Sequence, residues 1–272
     1  MIILFMKLNE LIRNELGVDF PKRYQIVGHV LIVKNVYKKQ KEIAELILSK
    51  YKYIRTVCFI KEISGDLREP IIENTFGDGT ETIHKEHGIF YKLDVAKIMF
   101  SKGNLNERKR LIGLIKKNEI ILDMFAGIGY FSLGIAKHHP DAKIYAVEKN
   151  PISFKYLREN IKLNKIKNII PILDDNRDKK LREEIPKVDR IIMGYIPATE
   201  KFLPVALNYI KNNGIINFHN TYKKEELWDF AEEQIRNIIE SYGFKLKILQ
   251  KKKVKSFAPK IYHVVMDVNV WK

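Results

Sequence analysis

Residues 120–138, IILDMFAGIGYFSLGIAKH, set the fold. Ile120, Ile121 and Leu122 form the short apolar run of a buried parallel strand, and Asp123 stands at its carboxyl end. Ala126-Gly127-Ile128-Gly129 strips the following turn of bulk, and Phe131, Leu133, Ile135 and Ala136 give the apolar side of a helix from Tyr130 onward. Strand, glycine turn and helix in this order make the first βα unit of a nucleotide-binding α/β sheet, where backbone N–H groups face a ligand. The glycines are not a dinucleotide fingerprint, because G-x-G-x-x-G puts its third glycine where Ser132 stands. No Lys-Ser/Thr pair follows them, which excludes a phosphate-binding P-loop.

Downstream, residues 143–147 read as the next strand and end at Glu148, whose carboxylate is placed to accept both hydroxyls of a ribose. A third strand, residues 169–173, ends in Asp174-Asp175-Asn176, where an acid or the backbone can read an adenine amino group. Each acid alone also fits an ordinary loop or helix-cap carboxylate. An acid at each of three consecutive strand ends predicts a site for S-adenosylmethionine. The fourth strand, 188–193, delivers Gly194-Tyr195-Ile196-Pro197 to the carboxyl edge of the sheet, where ligands of such sheets lie. Tyr195 there offers a ring and a hydroxyl to a substrate, or packs at a domain seam.

The remaining pattern predicts a helix over 202–210, a fifth strand over 214–220 ending near His219, a helix over 224–241 and strands over 244–250 and 262–270. Residues 251–259, KKKVKSFAP, read as a basic loop with one aromatic, suited to phosphate contact and base stacking or simply to solvent.

Upstream, Leu8, Leu11, Ile12 and Leu16 recur at helical spacing before Gly17, and residues 24–110 carry short strands broken by turns. A strand is expected around Gly28, a helix over 40–48, another strand over 57–60, and an antiparallel sheet over 71–93 with turns at Gly77-Asp78-Gly79 and Glu86-His87-Gly88. The expected division is a lead-in helix (1–16), a small α+β domain (17–106) and a Rossmann-like domain (107–272). Between the last two, Asn104 or Asn106 is a candidate cap for a helix over 107–115. Arg108 in its first turn suits a carboxylate ligand, since a guanidinium makes paired hydrogen bonds, and equally suits a structural salt bridge.

The 272 residues, 46% of them apolar, suffice for one large or two modest cores. The 49 Lys and Arg exceed the 33 Asp and Glu by 16, which favours an extended anionic partner such as RNA; a lysine-rich proteome would give the same excess without a dedicated surface. Cys58 is the sole cysteine and lies in an apolar run, so a buried thiol is expected, a disulfide framework is excluded and no metal is expected. The opening MIILFM is too short for a membrane span and nothing later supplies eighteen apolar residues, so the chain is expected to be soluble and cytoplasmic.

DMFAGIGYFS, the 77–88 stretch GDGTETIHKEHG, the 93–108 stretch LDVAKIMFSKGNLNER and MGYIP together resemble the class I methyltransferase-fold enzymes that modify the purine at tRNA position 37. Two branches share the pattern: the archaeal/eukaryotic-type tRNA guanine-37 N1-methyltransferases and the wybutosine-pathway aminocarboxypropyltransferases. Gly194-Tyr195-Ile196-Pro197 resembles the second branch, where the first carries an Asn-Leu/Pro-Pro signature. The resemblance implies transfer of the 3-amino-3-carboxypropyl group of S-adenosylmethionine to C7 of 4-demethylwyosine in the tRNA-Phe anticodon loop, with no membrane and no obligate protein partner. It implies Ser101 and Arg108 at the amino-acid end of the cofactor, Phe125, Ala126, Gly127 and Gly129 at the sulfur side, Glu148 at the ribose and Asp175 and Asn176 at the adenine. Tyr195 and Arg108 would act as catalytic residues. The alternatives are the N1-methyltransferase and a tRNA-binding protein that keeps the fold without chemistry.

Overall fold

The computed structural model describes residues 2–22, 24–34, 36, 38–65 and 68–272, with side chains from residue 8 onward; the side chains of the MIILFM start lie outside the described residues. The chain forms two compact units, Met1–Lys102 and Gly103–Lys272.

The first unit runs α1 (Ile2–Leu16), β1 (Tyr24–Val27), β2 (Val30–Lys34), α2 (Gln40–Lys50), β3 (Thr56–Ser64), β4 (Glu69–Gly77), β5 (Glu81–Glu86) and β6 (Ile89–Asp94). Its four-stranded sheet has the order β1-β2-β3-β4, with β2 and β3 parallel and the outer pairs antiparallel. Leu8 and Ile12 of α1 and Ile43 and Ile47 of α2 bury against Leu31, Val33, Val57 and Phe59, and Cys58 is a buried free thiol. The single strand expected around Gly28 is a hairpin, because Gly28 at φ +55° reverses the chain in a conformation that side chains disfavour. The expected sheet over 71–93 also divides: β4 pairs with β3, and β5 pairs only with β6 among the described residues.

The second unit runs α3 (Leu105–Ile112), β7 (Ile120–Asp123), α4 (Ser132–His138), β8 (Lys143–Glu148), α5 (Pro151–Leu163), β9 (Ile169–Leu173), α6 (Leu181–Glu184), β10 (Val188–Met193), α7 (Leu203–Ala206), β11 (Ile210–Lys223), α8 (Asp229–Ser241), β12 (Lys245–Ala258) and β13 (Ile261–Trp271). Seven strands order as β12-β13-β11-β10-β7-β8-β9. β7 to β11 are parallel, and β13 enters antiparallel between β11 and β12. Chain order reverses between β7 and β10, so the crevice at their carboxyl ends is the switch point of this sheet. Leu122, Ile191, Met193, Ile216 and Phe218 lie in its core with Ile235 and Ile239 of α8.

Several boundaries differ from the sequence reading. The helix expected over 202–210 is a 3-10 turn, Thr199–Phe202, followed by the single turn of α7, and β11 already begins at Ile210. Ten residues of β11, Gly214–Lys223, pair with β13, while Asn212 and Asn213 precede that ladder and keep their turn character: Asn213 sits at φ +62° and the register against β10 shifts there. The same ladder captures the basic segment expected as a loop: residues 251–258 are strand, paired to β13 through two register shifts. The helix expected over 224–241 is broken after a 3-10 turn, Lys224–Glu226. Helix α3 starts at Leu105; Asn104 holds its N-cap position, but no side-chain capping bond forms. Among the described residues no helix is long and apolar enough to cross a membrane.

Candidate functional site

The turn after β7 is held from within. Gly127 and Gly129 sit at φ +57° and +96°. A Cβ on Gly127 would come 2.6 Å from the Tyr130 ring, and one on Gly129 would come 2.5 Å from Leu133. Both positions therefore require glycine on conformation and on space. Asp123 is wholly buried and accepts hydrogen bonds from Ser132 Oγ at 2.6 Å and from the Phe125 amide at 3.3 Å. Ser132 thus stands in the third glycine place because its hydroxyl ties the start of α4 to the end of β7. Burial raises the Asp123 carboxyl to about 6. Its partners are the turn and the helix, so its role is to hold the turn.

Glu148 braces the same turn from β8. Its Oε2 accepts the Gly127 amide at 2.7 Å, and its Oε1 accepts the Asn150 amide at 2.7 Å, next to the Asn150 side chain that caps α5. Burial raises its pKa. Each carboxylate oxygen has a second lone pair, so the group retains capacity for two hydroxyl donors while it fixes the turn. Asn176 donates from Nδ2 to the Met124 carbonyl at 2.9 Å, and its buried Oδ1 has no partner. A buried amide oxygen left unpaired costs free energy until a donor reaches it, and an adenine amino group is such a donor. Asp175 is taken instead by surface cations: Arg177 binds it at 2.6 and 2.9 Å and Lys149 at 3.0 Å, and these hold its carboxyl well below the usual range.

The loop after β10 adds an aromatic wall. Tyr195 stacks on Phe125 with ring centroids 5.2 Å apart, and Phe202 meets both rings edge-on at 4.9 and 5.8 Å. Thr199 Oγ donates to the Tyr195 carbonyl, and Asn220, three residues before the end of β11, accepts the Ala198 amide at 3.0 Å. A Cβ on Gly194 would lie 2.8 Å from the Phe131 ring. Phe125, Ala126, Gly127, Gly129, Glu148, Asn176 and Tyr195 are thus brought together around the carboxyl ends of β7, β8 and β10. Arg108 is buried in the first turn of α3, and half-buried Ser101 belongs to the other unit.

Sequence reasoning missed the buried ionic groups behind this edge. Arg110 binds Glu107 at 2.7 and 2.8 Å and Asp267 at 2.5 and 3.1 Å, fastening α3 to β13. Arg190 binds Glu119 at 2.8 and 3.0 Å and Asn217 at 3.1 Å. His219 Nδ1 lies 3.0 Å from His263 Nε2, its ring packs on Phe131, and burial lowers its pKa to about 4. The Glu107/Arg110 spacing on one helix was a local signal for the first of these, and His219 was legible at the end of the fifth strand, where a histidine is more often a structural hydrogen-bonder; nothing local marked Arg190. Among the described residues no cluster of His, Cys, Asp and Glu is arranged to hold a metal ion.

Residues 82–249 match the TRM5/TYW2 methyltransferase domain, and residues 6–80 match the TYW2 N-terminal domain. The chain belongs to the TRM5/TYW2 family. A relative from Methanocaldococcus jannaschii, the tRNA(Phe) (4-demethylwyosine(37)-C(7)) aminocarboxypropyltransferase, is 43% identical over 91% of this chain and 97% of its own length. The crystal structure of Pyrococcus horikoshii TYW2 in complex with MeSAdo superposes with a TM-score of 0.82 at 37% identity, covering 98% of this chain and 99% of that one. M. jannaschii TYW2 in complex with AdoMet gives a TM-score of 0.74 at 38% identity, covering 92% and 100%. Within this TRM5/TYW2 sheet, the glycine turn, Glu148 and the open acceptor of Asn176 fit a nucleoside bearing a ribose and an exocyclic amine.

Proposed function

We propose that the protein transfers the 3-amino-3-carboxypropyl group of S-adenosylmethionine to C7 of 4-demethylwyosine at position 37 in the anticodon loop of tRNA-Phe. It would act in the cytoplasm without an obligate protein partner. The observation that carries the choice of branch is Gly194 against Phe131. The Asn-type loop of the N1-methyltransferases puts a side chain at the first position of this turn, and here a Cβ would strike the Phe131 ring at 2.8 Å. The kinship to an aminocarboxypropyltransferase at 43% identity supports the same branch.

In this reading Glu148 receives the ribose hydroxyls, and Asn176 Oδ1 takes the adenine amine with Asp175 beside it. Phe125, Ala126, Gly127 and Gly129 form the floor under the sulfur. Ser101 and Arg108 orient the amino-acid end, Arg108 by pairing its guanidinium with the carboxylate. Tyr195 shapes the base pocket. Residues 17–106 serve as the tRNA- and cofactor-side module behind the 1–16 helix, and 107–272 as the catalytic domain. The donor supplies three carbons on one sulfonium, and the one in line with the nucleophile is the one displaced. The new bond joins C7 to the propyl carbon, the C–S pair stays on sulfur as methylthioadenosine departs, and C7 then loses its proton. Orientation of this kind can account for about 7–11 kcal/mol of the barrier.

The test is incubation of tRNA-Phe bearing 4-demethylwyosine with donor labelled separately on the methyl and the carboxypropyl carbons, followed by mass spectrometry of the modified nucleoside. The four-carbon amino acid is expected, and methyl incorporation would move the protein to the other branch. Arg108→Ala is expected to lower transfer on the order of 100-fold with circular dichroism retained; near-normal turnover would remove Arg108 from the site.

A further inference from the structure

The antiparallel part of the sheet is longer than the parallel part. Met193, the last residue of β10, is level with Phe218 of β11 and through it with Met266 of β13. From there the β11–β13 ladder continues five residues farther, to Lys223 opposite Ile261, and β12 accompanies it to Ala258. At about 3.3 Å per residue, this three-stranded end projects roughly 17 Å beyond the level at which Gly194 and Tyr195 leave β10. It projects on the carboxyl side of the parallel strands, where the candidate site lies.

The projection is strongly basic. Residues 251–260 carry five lysines and no acid, and Lys223 and Lys224 close the neighbouring strand. Lys251 is paired with Glu232 on α8, and Lys255 lies along the Gly103 backbone. Glu226 is turned to the Lys223 amide, which it caps at 2.7 Å, Glu200 accepts from Asn220 Nδ2 at 2.8 Å, and Glu225 follows Lys224 in the chain. Lys252, Lys253 and Lys260 are exposed, and the Lys253 ammonium sits 4.6 Å from the centre of the Tyr262 ring. Lysines on an edge strand also guard against strand addition, and β12 is an edge with three register shifts that serve the same end. Edge protection needs charge of either sign along the whole strand. It does not require the positive charge to gather where the strand overhangs the site.

We propose that this projecting end of β11, β12 and β13 grips the phosphate backbone of the RNA substrate beside the reacting base, with Lys252, Lys253 and Lys260 as phosphate contacts. The proposal rests on the RNA-modifying reading given above and adds the surface that holds the substrate. Contacts of this kind set affinity and its salt dependence, because each neutralised phosphate releases counterions, and they leave chemistry on the bound base unchanged.

The experiment uses full-length protein and unmodified tRNA-Phe transcript, with fluorescence anisotropy from 50 to 300 mM KCl. The variant K252E/K253E/K260E keeps the edge charged but repels phosphate. It is expected to weaken binding at least tenfold and to lower the slope of log K against log salt by about three, one for each lysine. AdoMet affinity by calorimetry and the melting temperature should be unchanged, and in transfer assays on tRNA-Phe bearing 4-demethylwyosine KM for tRNA should rise with kcat retained. The control K245E/K247E/K272E places the same charge change at the opposite end of these strands and should bind tRNA within about threefold of wild type. Equal losses in both variants would reduce the effect to net charge and overturn the proposal, as would wild-type affinity and slope in the first. Should transfer of the aminocarboxypropyl group fail while this salt dependence holds, the catalytic reading falls and the grip stands.

Discussion

At the glycine turn the decisive bonds are short in sequence: Asp123 reaches Ser132 nine residues on, and Gly127 meets Glu148 across 21. In the ionic seam beneath β10, Arg190 reaches Glu119 across 71 residues, and Arg110 reaches Asp267 across 157. The turn is a device to shape backbone, and its residue types follow from local geometry. The seam joins elements that meet only after the sheet is assembled, and each of its charges is tolerated in the interior because a distant partner arrives. The two regions should therefore fail differently: damage to the seam should appear in global stability, and damage at the turn and its aromatic wall in ligand handling.

The largest effect is expected in the seam. Arg190→Met leaves Glu119 buried without its cation, and loss of one partner of such a pair costs about 3–5 kcal/mol in urea unfolding. The double variant Arg190→Met/Glu119→Leu should recover much of that, since two apolar side chains of similar volume leave no charge to compensate. A single variant that costs under about 1 kcal/mol would erase the contrast with the turn.

A smaller and more pointed effect concerns pH, because each region holds one buried group with a displaced pKa. Asp123, raised by burial from 3.8 to about 6, binds its proton more readily folded than unfolded. Its contribution to stability is present below about pH 4 and is lost as pH rises through 6. His219, lowered by burial from 6.5 to about 4, contributes above pH 6.5 and loses its contribution as pH falls through 4. At 1.4 kcal/mol per pKa unit each amounts to about 3 kcal/mol, with opposite slopes over nearly the same window. His219→Asn should expose the Asp123 slope, so that stability measured at pH 4.5 exceeds the value at pH 6.5 by more than in wild type. Asp123→Asn should tilt the curve the other way, and curves parallel to wild type in both variants would show that neither group titrates with folding.

The same contrast explains what could be read from the chain. Gly127, Gly129, Glu148, Asn176 and Tyr195 stand at strand ends whose apolar runs are self-contained, so the parallel half of the sheet and its carboxyl edge were legible. Arg190, Arg110 and Asp267 read as surface charges until β10, β11 and β13 are placed side by side. The 251–258 segment failed for the same reason: a run of lysines has little strand propensity of its own, and only the β13 ladder holds it extended. Asp123 was legible as a strand-end acid, but its occupation by Ser132 and Phe125 depends on how the turn closes.

Least costly to stability, and most informative about the site, is the Tyr195 ring. Its stack on Phe125 and edge contact with Phe202 make an aromatic cluster of three, and pairs of this kind contribute about 0.5–1.5 kcal/mol beyond the area they bury. Tyr195→Leu should lose about that much in chemical unfolding, whereas Tyr195→Phe keeps the ring and should stay within about 0.5 kcal/mol of wild type. Transfer assays then separate ring from hydroxyl. If Tyr195 acts by offering a face to the base, Tyr195→Phe keeps KM for tRNA while Tyr195→Leu raises it. Loss of kcat in Tyr195→Phe with KM unchanged would instead assign the work to the hydroxyl and make the stacked ring merely its support.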